Sequence, residues 1–393
     1  MLDRPATRSR KETRAAVMEG LLRSKGAFRQ AIAHDSRLTE ASVSRILTEL
    51  RSAGLIDESR IPAPYFGGPT ALVSLRKDIC VAGIELSNGR LSFGVGDLGC
   101  ALDYVERMPV PARLAQADFE RMARVSFAEM IAWADQRGRV IRQIALSLPG
   151  FSQSDTNPIF PWDMTRLRDF LADLVKPYPL ALTNSVIAQA AFHRYCASDV
   201  YPVSGDHLFL FVAHGVAGVV VHESAPIETF NPFELGHMVI ERGGALCRCG
   251  HRGCLEAYTS LQAISPVIGL PAGDILRGGD QFVATAQQTP EQRATLRDRL
   301  FLLGMGIGNA LNLQPLPAVV ISGWPSLIPE ADRCAILDGL NETLLGGYRA
   351  DRLPLHFIAP SIGNDPRAAM AYAAYSFVST GGQDAAPRLS EIA

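Results

Sequence analysis

Apolar positions in the first 50 residues recur at helical spacing and predict three short helices. The third is the clearest, because Val43, Ile46, Leu47 and Leu50 follow the i, i+3, i+4, i+7 pattern of one buried stripe. Thr39 precedes this run and is a preferred N-cap residue. The first two helices are indicated by similarly spaced apolar residues, namely Val17, Leu21, Leu22, Phe28, Ile32 and Ala33.

Two strand-like runs follow the third predicted helix. Residues 55–59 (LIDES) and 70–75 (TALVSL) flank a Pro/Gly-rich tip and predict a β-hairpin. Three helices and a hairpin are typical of a winged helix-turn-helix, whose third helix enters the DNA major groove. A generic three-helix packing unit, or a protein-interaction module, is the alternative. The candidate DNA-binding residues on the polar side are Arg37, Thr39, Ser42, Ser44, Arg45 and Thr48, with Arg51 a further candidate for phosphate contact.

From about residue 78 the pattern alternates between strands and helices and predicts an α/β body. VAGIELS with RLSFGVGDL, and HLFLFVAHGVAGVVV, are each interpreted as hairpins, and PAVVISG as a buried strand. Helical spacing marks residues 117–137, 165–175, 185–197, 259–266 and 290–312. Residues 381–393 are interpreted as a flexible tail with no assigned role.

Composition and charge narrow the class of protein. With 47% hydrophobic residues the chain can bury sizeable cores, so wholesale disorder is disfavoured. No apolar leader or 18-residue apolar run is apparent, and seven cysteines, an odd number, favour a reducing compartment, the cytoplasm. Residues 1–76 carry a net charge of +5 and the remainder −7. Any nucleic-acid contact is therefore expected at the N-terminus.

A dense cysteine cluster lies at residues 247–254. Cys247, Cys249 and Cys254 fall within eight residues, and His237 lies ten residues before the first. Three thiolates and one imidazole suit tetrahedral Zn²⁺, and a closed set of four protein ligands is typical of a structural site. His251 is a rival fourth ligand. The spacings are CxC and Cx4C, so a redox CxxC pair is absent from the sequence.

The segment His-x9-Cys-x-Cys-Gly-x2-Gly-Cys-x-Glu resembles the signature of the ROK family (repressors, open reading frames and sugar kinases). The resemblance extends over nearly the whole chain. It implies a winged helix-turn-helix at residues 1–76, where Gly67-Gly68-Pro69 departs from the family's usual Gly-Arg-Pro wing. Residues 77–393 are then a two-lobed, actin-like effector domain. Its lobes are expected at about 77–183 with a C-terminal return, and at about 184–355.

The resemblance also implies a sugar site without kinase chemistry. Kinases of the family open a helix with Asn-Asp, whose Asp is the general base, whereas this chain has Asn184 and Ser185. Their first phosphate loop, roughly Asp-x-Gly-Gly-Thr, becomes residues 85–89 (ELSNG), and the second, residues 214–218 (HGVAG), is only partly preserved. The residues expected to contact sugar are Asn184, Ser185, Glu234, His237 and Glu256. For Glu234 and Glu256, a structural role in supporting the zinc loop is the alternative.

The sequence patterns together with the resemblance imply a sugar-responsive, DNA-binding transcriptional regulator rather than an enzyme. We expect a repressor of carbohydrate genes in which sugar, bound between the lobes, alters operator affinity. Its expected partners are double-stranded operator DNA, a sugar or sugar derivative, and further copies of itself as a homodimer or homotetramer, with no membrane. The rival is an ATP-dependent kinase of a hexose or N-acetylhexosamine with an accessory N-terminal domain.

Overall fold

The structure is a computed structural model. It describes residues 9–24, 26–61, 70–87, 89–111, 113–149, 162–196, 201–223, 227–272, 289–346, 352–360 and 366–383. The chain divides into two compact units. The first comprises Met1–Leu148, Asp163–Thr183 and Pro366–Ala393, and the second comprises Pro149–Trp162 and Asn184–Asp365.

The N-terminal part of the first unit contains the three predicted helices and the predicted hairpin. Thr39 caps the third helix by accepting a hydrogen bond from the Ser42 backbone N–H (3.3 Å). The stripe predicted for this helix is buried, as the amphipathic pattern requires. A two-residue strand, β1, pairs with β3 and was not expected. The elements are α1 Arg10–Ser24, β1 Ala27–Phe28, α2 Arg29–Ser36, α3 Glu40–Ser52, β2 Ile56–Ile61 and β3 Thr70–Leu75.

The rest of the first unit is built on a five-stranded mixed sheet of order β6-β5-β4-β7-β8. β4 and β5 form the predicted antiparallel hairpin, and β7 lies parallel to β4 on its other side. The strands are β4 Ile79–Ser87, β5 Arg90–Asp97, β6 Leu102–Pro109, β7 Val140–Leu148 and β8 Leu180–Asn184. Two helices accompany them, α4 Gln116–Gln136 and α5 Met164–Leu174.

The second unit repeats this strand order. Its sheet runs β11-β10-β9-β12-β13, with antiparallel pairing from β9 to β11 and parallel pairing of β12 with β9 and β13. Two sheets of equivalent order agree with the predicted duplicated fold. The strands are β9 His207–Val212, β10 Val216–Val221, β11 Pro232–Phe233, β12 Val319–Gly323 and β13 Leu355–Ile358. The helices are α6 Ser185–Ala191 with a π-helical turn Phe192–Cys196, α7 Glu256–Thr259, α8 Leu261–Ile268, α9 Pro290–Leu313 and α10 Glu330–Thr343.

The core of the second unit holds α7 in place. Trp324 directly follows β12 and is fully buried. Its indole N–H donates a hydrogen bond to the carbonyl of Thr259, the last residue of α7 (2.7 Å). Because a buried indole N–H requires a partner, this bond fixes the helix that begins at Glu256.

The C-terminal helix α11, Arg367–Ser379, belongs to the first unit. It packs on β4 and β7 and also on α1. Gly381 and Gly382, which follow it, contact Arg14 and Met18 of α1. The interpretation of residues 381–393 as a tail is therefore wrong at its first two positions, and residues 384–393 lie outside the described part. Within the described residues, no helix is long and apolar enough to cross a membrane.

Candidate functional site

The four predicted metal ligands converge in the second unit. His237 ends a short 3-10 turn, Leu235–His237, while Cys247 and Cys249 lie in the following loop. Cys254 pairs with Val239 in an isolated β-bridge, just before α7. One ligand atom from each of the four residues lies within 4.8 Å of all the others. This cluster can hold a metal ion.

The distances inside the cluster fit tetrahedral zinc. With Zn–S of about 2.3 Å and Zn–N of about 2.0 Å, a tetrahedron separates two sulfurs by about 3.8 Å and sulfur from nitrogen by about 3.5 Å. Sγ of Cys249 and Sγ of Cys254 are 3.7 Å apart, and Sγ of Cys247 is 3.6 Å from Nδ1 of His237. His251 is exposed and lies outside the four-residue cluster, although its Nδ1 is 3.6 Å from Sγ of Cys249.

Residues outside the cluster fix the path of this loop. Gly253 has φ +79°, and a Cβ there would lie 1.6 Å from the carbonyl oxygen of Glu241, so only glycine fits. The hydroxyl of Tyr258 donates to Glu241 and accepts from the Ala245 backbone N–H (2.6 Å). The guanidinium of Arg299, on α9, lies 5.3 Å from the Tyr258 ring centroid. The loop is thus held by α7 and α9 as well as by its own turns.

The thiols of the cluster differ in their tendency to ionise. Burial opposes ionisation of Cys249, yet hydrogen bonds from His251 and the neighbouring cysteines lower the pKa of this thiol to about 7. Burial and the adjacent thiols raise the pKa of Cys254 to about 12. Because metals bind the thiolate form, Cys249 is the thiol of the cluster that loses its proton to a metal most readily at neutral pH.

Beside the metal cluster lies a small polar cleft. Glu256 lines it, with only 6% of the residue exposed, and its Oε2 accepts a hydrogen bond from the Val216 backbone N–H (3.0 Å). Nη2 of Arg248 donates to Oε1 of Glu256 (3.1 Å) and to the His214 carbonyl (2.9 Å). Arg248 was not among the predicted site residues, because its only signal in the sequence is its place between two cysteines.

The other expected sugar residues lie on neighbouring elements. Glu234 is exposed at the surface. Partial desolvation of its carboxyl group by the neighbouring protein raises its pKa, and the charge of the Glu256 carboxylate raises it further. Asn184 is the N-cap of α6 and accepts a hydrogen bond from the Val186 backbone N–H (2.8 Å), and Ser185 is the first residue of that helix. α6 packs on β10, the strand that begins at the Val216 amide bound by Glu256.

All residues of the second loop that corresponds to a kinase phosphate loop, 214–218, are among the described residues. The Ala213 N–H donates to the Gly215 carbonyl (2.8 Å), and a Cβ on Gly215 would lie 3.0 Å from Oε2 of Glu256. In the first loop, Glu85 is buried and the Ser87 hydroxyl donates to the Arg90 carbonyl (3.4 Å). Asn88, in the same loop, lies outside the described residues.

The candidate DNA-binding residues lie in the turn before α3 and along the first nine residues of that helix. Arg37, the C-cap of α2, is exposed in the left-handed region with φ 55°. Arg45 is exposed on α3, and its guanidinium makes no hydrogen bond or ion pair within the described residues. Thr39 and Ser42 are joined through their hydroxyls (3.0 Å), and the Thr48 hydroxyl donates to the Ser44 carbonyl (2.9 Å).

Arg51, a further candidate for phosphate contact, forms an ion pair with Glu58 of β2. Gly67-Gly68-Pro69, where the sequence departs from the family's usual Gly-Arg-Pro wing, lies outside the described residues.

Comparison with known proteins gives the family. A profile of the ROK family matches residues 81–365, more than half of the chain. The N-acetyl-D-glucosamine kinase of Escherichia coli O157:H7 is 25% identical over 304 residues, covering 70% of this chain and 89% of that protein. The N-acetyl-D-glucosamine kinase of Shigella flexneri serotype 5b (strain 8401) is 24% identical over 297 residues, with the same shares covered.

Solved structures give the fold. A ROK-family transcriptional regulator, a homologue of the Escherichia coli MLC protein, has a TM-score of 0.74 at 20% identity, over 95% of this chain and 97% of its own. The ROK-family glucokinase of Streptomyces griseus, solved with glucose and AMPPNP, has a TM-score of 0.54 at 18% identity, over 75% and 98%. The predicted α/β, actin-like fold with an N-terminal helix-turn-helix is confirmed. This chain is a member of the ROK family.

Proposed function

We propose that the protein is a sugar-responsive DNA-binding transcriptional regulator that represses genes of carbohydrate uptake or catabolism. Residues 1–76 are the DNA-binding domain and residues 77–393 the effector domain. The single observation that carries the proposal is the exposed guanidinium of Arg45 on α3, which makes no hydrogen bond or ion pair within the described residues. Arg45 lies in the N-terminal region. The structural likeness to a ROK-family regulator includes this region, whereas the match to the family profile begins only at residue 81.

In this proposal α3 enters the major groove. Arg45 reads a base edge, Ser42 and Ser44 contact bases or phosphates, and Arg37, Thr39 and Thr48 anchor the module on the backbone. Two copies of the chain, as a homodimer or within a homotetramer, present two such helices to a palindromic operator. The DNA partner places the protein in the bacterial cytoplasm.

The effector is a sugar that contacts Asn184, Ser185, Glu234, His237 and Glu256. A sugar changes operator affinity only by binding the DNA-competent and DNA-free states with different affinity. A structural Zn²⁺ is held by His237, Cys247, Cys249 and Cys254. It fixes the loop that directly precedes Glu256. The fit of the cluster distances to a zinc tetrahedron supports this assignment.

Kinase activity is the second candidate, because curated relatives are named N-acetyl-D-glucosamine kinases. We propose that it has been lost here. Ser185 stands where kinases of the family have the aspartate that acts as general base, and losing such a base removes about 10²–10⁴-fold of rate. A coupled ATPase assay across hexoses, with Ser185→Asp alongside, tests this. Robust turnover by the wild-type protein would favour the kinase.

The test of DNA recognition compares two arginines of α3 on the full-length protein. Arg45→Ala should weaken operator binding at least tenfold and reduce its discrimination against non-specific duplex. Arg51→Ala removes the same charge, but Arg51 is engaged by Glu58, so a smaller, sequence-independent loss is expected. Fluorescence anisotropy at fixed salt measures both. Wild-type affinity and specificity in Arg45→Ala would contradict the proposal.

A further inference from the structure

We propose that Arg248 determines the charge class of the effector: by pairing with Glu256 it leaves the cleft without spare positive charge, so that the cleft takes an uncharged sugar and rejects the phosphorylated form. This inference rests on the proposed function, because it concerns the ligand of the same effector site. It assigns a role to a residue that the ligand sets described above do not include.

The position of Arg248 is fixed both through its backbone and through its guanidinium group. Its backbone lies between Cys247 and Cys249, two members of the metal cluster. Its Nη2 uses both hydrogens, one on Oε1 of Glu256 and one on the His214 carbonyl. About a third of the Arg248 side chain is exposed, against 8% for Glu256. The guanidinium therefore closes one side of the cleft and presents its remaining N–H groups from a defined place.

Apart from the metal ligand Cys247, the described lining of the cleft contains one cation, Arg248, and one anion, Glu256, which are paired with each other, so their charges cancel. Glu234 is a further carboxylate close enough to Glu256 for the Glu256 charge to oppose its ionisation, so it adds no positive charge to the cleft. A phosphate or carboxylate entering here would lose hydration without gaining an unpaired cation, and burying an uncompensated charge is costly.

The hydrogen-bonding groups of the cleft suit hydroxyls. Oε1 of Gln262 is buried and has no partner within the described residues, while Nε2 of Gln262 is bonded to Nδ1 of His214 (2.8 Å). Glu256 and Gln262 can accept from sugar hydroxyls, and the Arg248 N–H groups that make no hydrogen bond within the described residues can donate to them. The cleft volume of about 180 Å³ is below the 300–1,000 Å³ usual for drug-sized ligands and fits a small one.

A substitution that changes the charge of the cleft but not its shape distinguishes control of ligand charge by Arg248 from a purely structural role for this residue. Glu256→Gln keeps an acceptor for the Val216 N–H but frees the Arg248 cation. Binding is measured by calorimetry on the full-length zinc protein. The probes are glucose, N-acetylglucosamine, mannose and xylose, together with glucose 6-phosphate, N-acetylglucosamine 6-phosphate and mannose 6-phosphate.

In the wild-type protein we expect one uncharged sugar to bind at least tenfold more tightly than its 6-phosphate. Glu256→Gln should move that ratio at least tenfold toward the phosphate, whereas Arg248→Met should weaken the uncharged sugar and leave the phosphate excluded. Arg252→Met removes a charge from the same loop outside the described cleft lining, and should leave the ratio unchanged.

Three outcomes would overturn the inference: preference of the wild type for a phosphorylated sugar, an unchanged ratio in folded, zinc-loaded Glu256→Gln, or no binding of any uncharged sugar. Each is read from ligand binding alone. Failure of the proposed regulatory function would instead show as absence of operator binding, so the two failures are distinguishable.

Discussion

The guanidinium of Arg14, on the first helix, donates a hydrogen bond through Nε to the backbone carbonyl of Gly381, beyond the last helix. The two residues are 367 positions apart in the chain. Arg14 is also 3.9 Å from a carboxylate oxygen of Glu49 on α3. Because α11 packs on both α1 and the strands β4 and β7, the C-terminal segment braces the N-terminal helices against the first sheet.

Gly382 should be sensitive to substitution because it lies where this brace meets the N-terminal helices. It has φ +71°, and a Cβ would lie 2.5 Å from Cδ1 of Leu55 and 2.9 Å from Sδ of Met18. Gly382→Ala should therefore cost about 2–3 kcal/mol of unfolding free energy, from backbone strain and forced repacking. Urea unfolding measures the loss, and operator affinity should fall with it.

Gly20→Ala is the matched control for that variant. Gly20 lies within α1, and a Cβ there meets nothing within 4 Å. Alanine in a helix interior is favoured over glycine by about 0.5–1 kcal/mol, so this variant should be as stable as the wild type or more so. Equal stability of the two variants would show that the C-terminal segment does not brace α1.

Arg37 offers a way to separate stability from DNA binding. Its left-handed backbone costs a non-glycine residue roughly 1–2 kcal/mol. Arg37→Gly should relieve part of that strain while removing one phosphate contact. It should raise the unfolding midpoint and reduce the salt slope of DNA binding by about 0.9. Arg37→Ala should lower DNA affinity equally without the gain in stability. If Arg37→Gly bound operator as the wild type does, the phosphate contact would be excluded.

Metal content distinguishes the two candidate histidines. His237→Ala removes one member of the four-residue cluster and should lose most of its zinc. His251→Ala removes an exposed ring outside it and should retain about one zinc per chain, since a structural site needs four ligands. Metal analysis after dialysis against a weak chelator gives the result. Zinc kept by the first variant and lost by the second would transfer the ligand role to His251.

The second unit should lose stability as the pH falls toward 4. His193 is 5% exposed, and burial lowers its pKa from 6.5 to about 4. Between these values the unfolded chain takes up a proton that the folded chain does not. The stabilisation is thus complete above pH 6.5 and decreases as the pH falls to 4, by on the order of 3 kcal/mol. Burial lowers the pKa of His207 as well, which adds to the same trend.

His193→Leu tests this assignment. The variant removes the titrating ring, so its unfolding free energy should change less between pH 6.5 and 4.5 than that of the wild type. Only the pH dependence is compared, because the absolute stability also reflects repacking against Phe209, whose ring centroid is 5.9 Å from that of His193. Parallel pH profiles for the two proteins would contradict the prediction.

Local patterns in the sequence sufficed to predict much of this fold. Helix α3 was predicted because a capping threonine and a four-residue apolar stripe act within one segment. The hairpins β4–β5 and β9–β10 were predicted because their strands are adjacent in sequence. The metal cluster was predicted because three of its ligands lie within eight residues, and ligand chemistry restricts which residue types can share an ion.

Contacts between distant segments could not be predicted in this way. The Arg14–Gly381 bond joins the two ends of the chain, and no periodicity relates them. The pairing of Arg248 with Glu256 depends on the path of the metal loop, which Gly253 and Tyr258 fix through backbone contacts. Strand β1 has only two residues, too few for a pattern, and forms because β3 offers a free edge.

Sugar-sensitive operator binding is best tested by selecting genomic fragments with the purified full-length protein at fixed salt and challenging the bound fragments with the sugar panel. We expect recovery of a palindromic site beside carbohydrate genes and its release by one uncharged sugar. Failure of the folded, zinc-containing protein to enrich any fragment would contradict it.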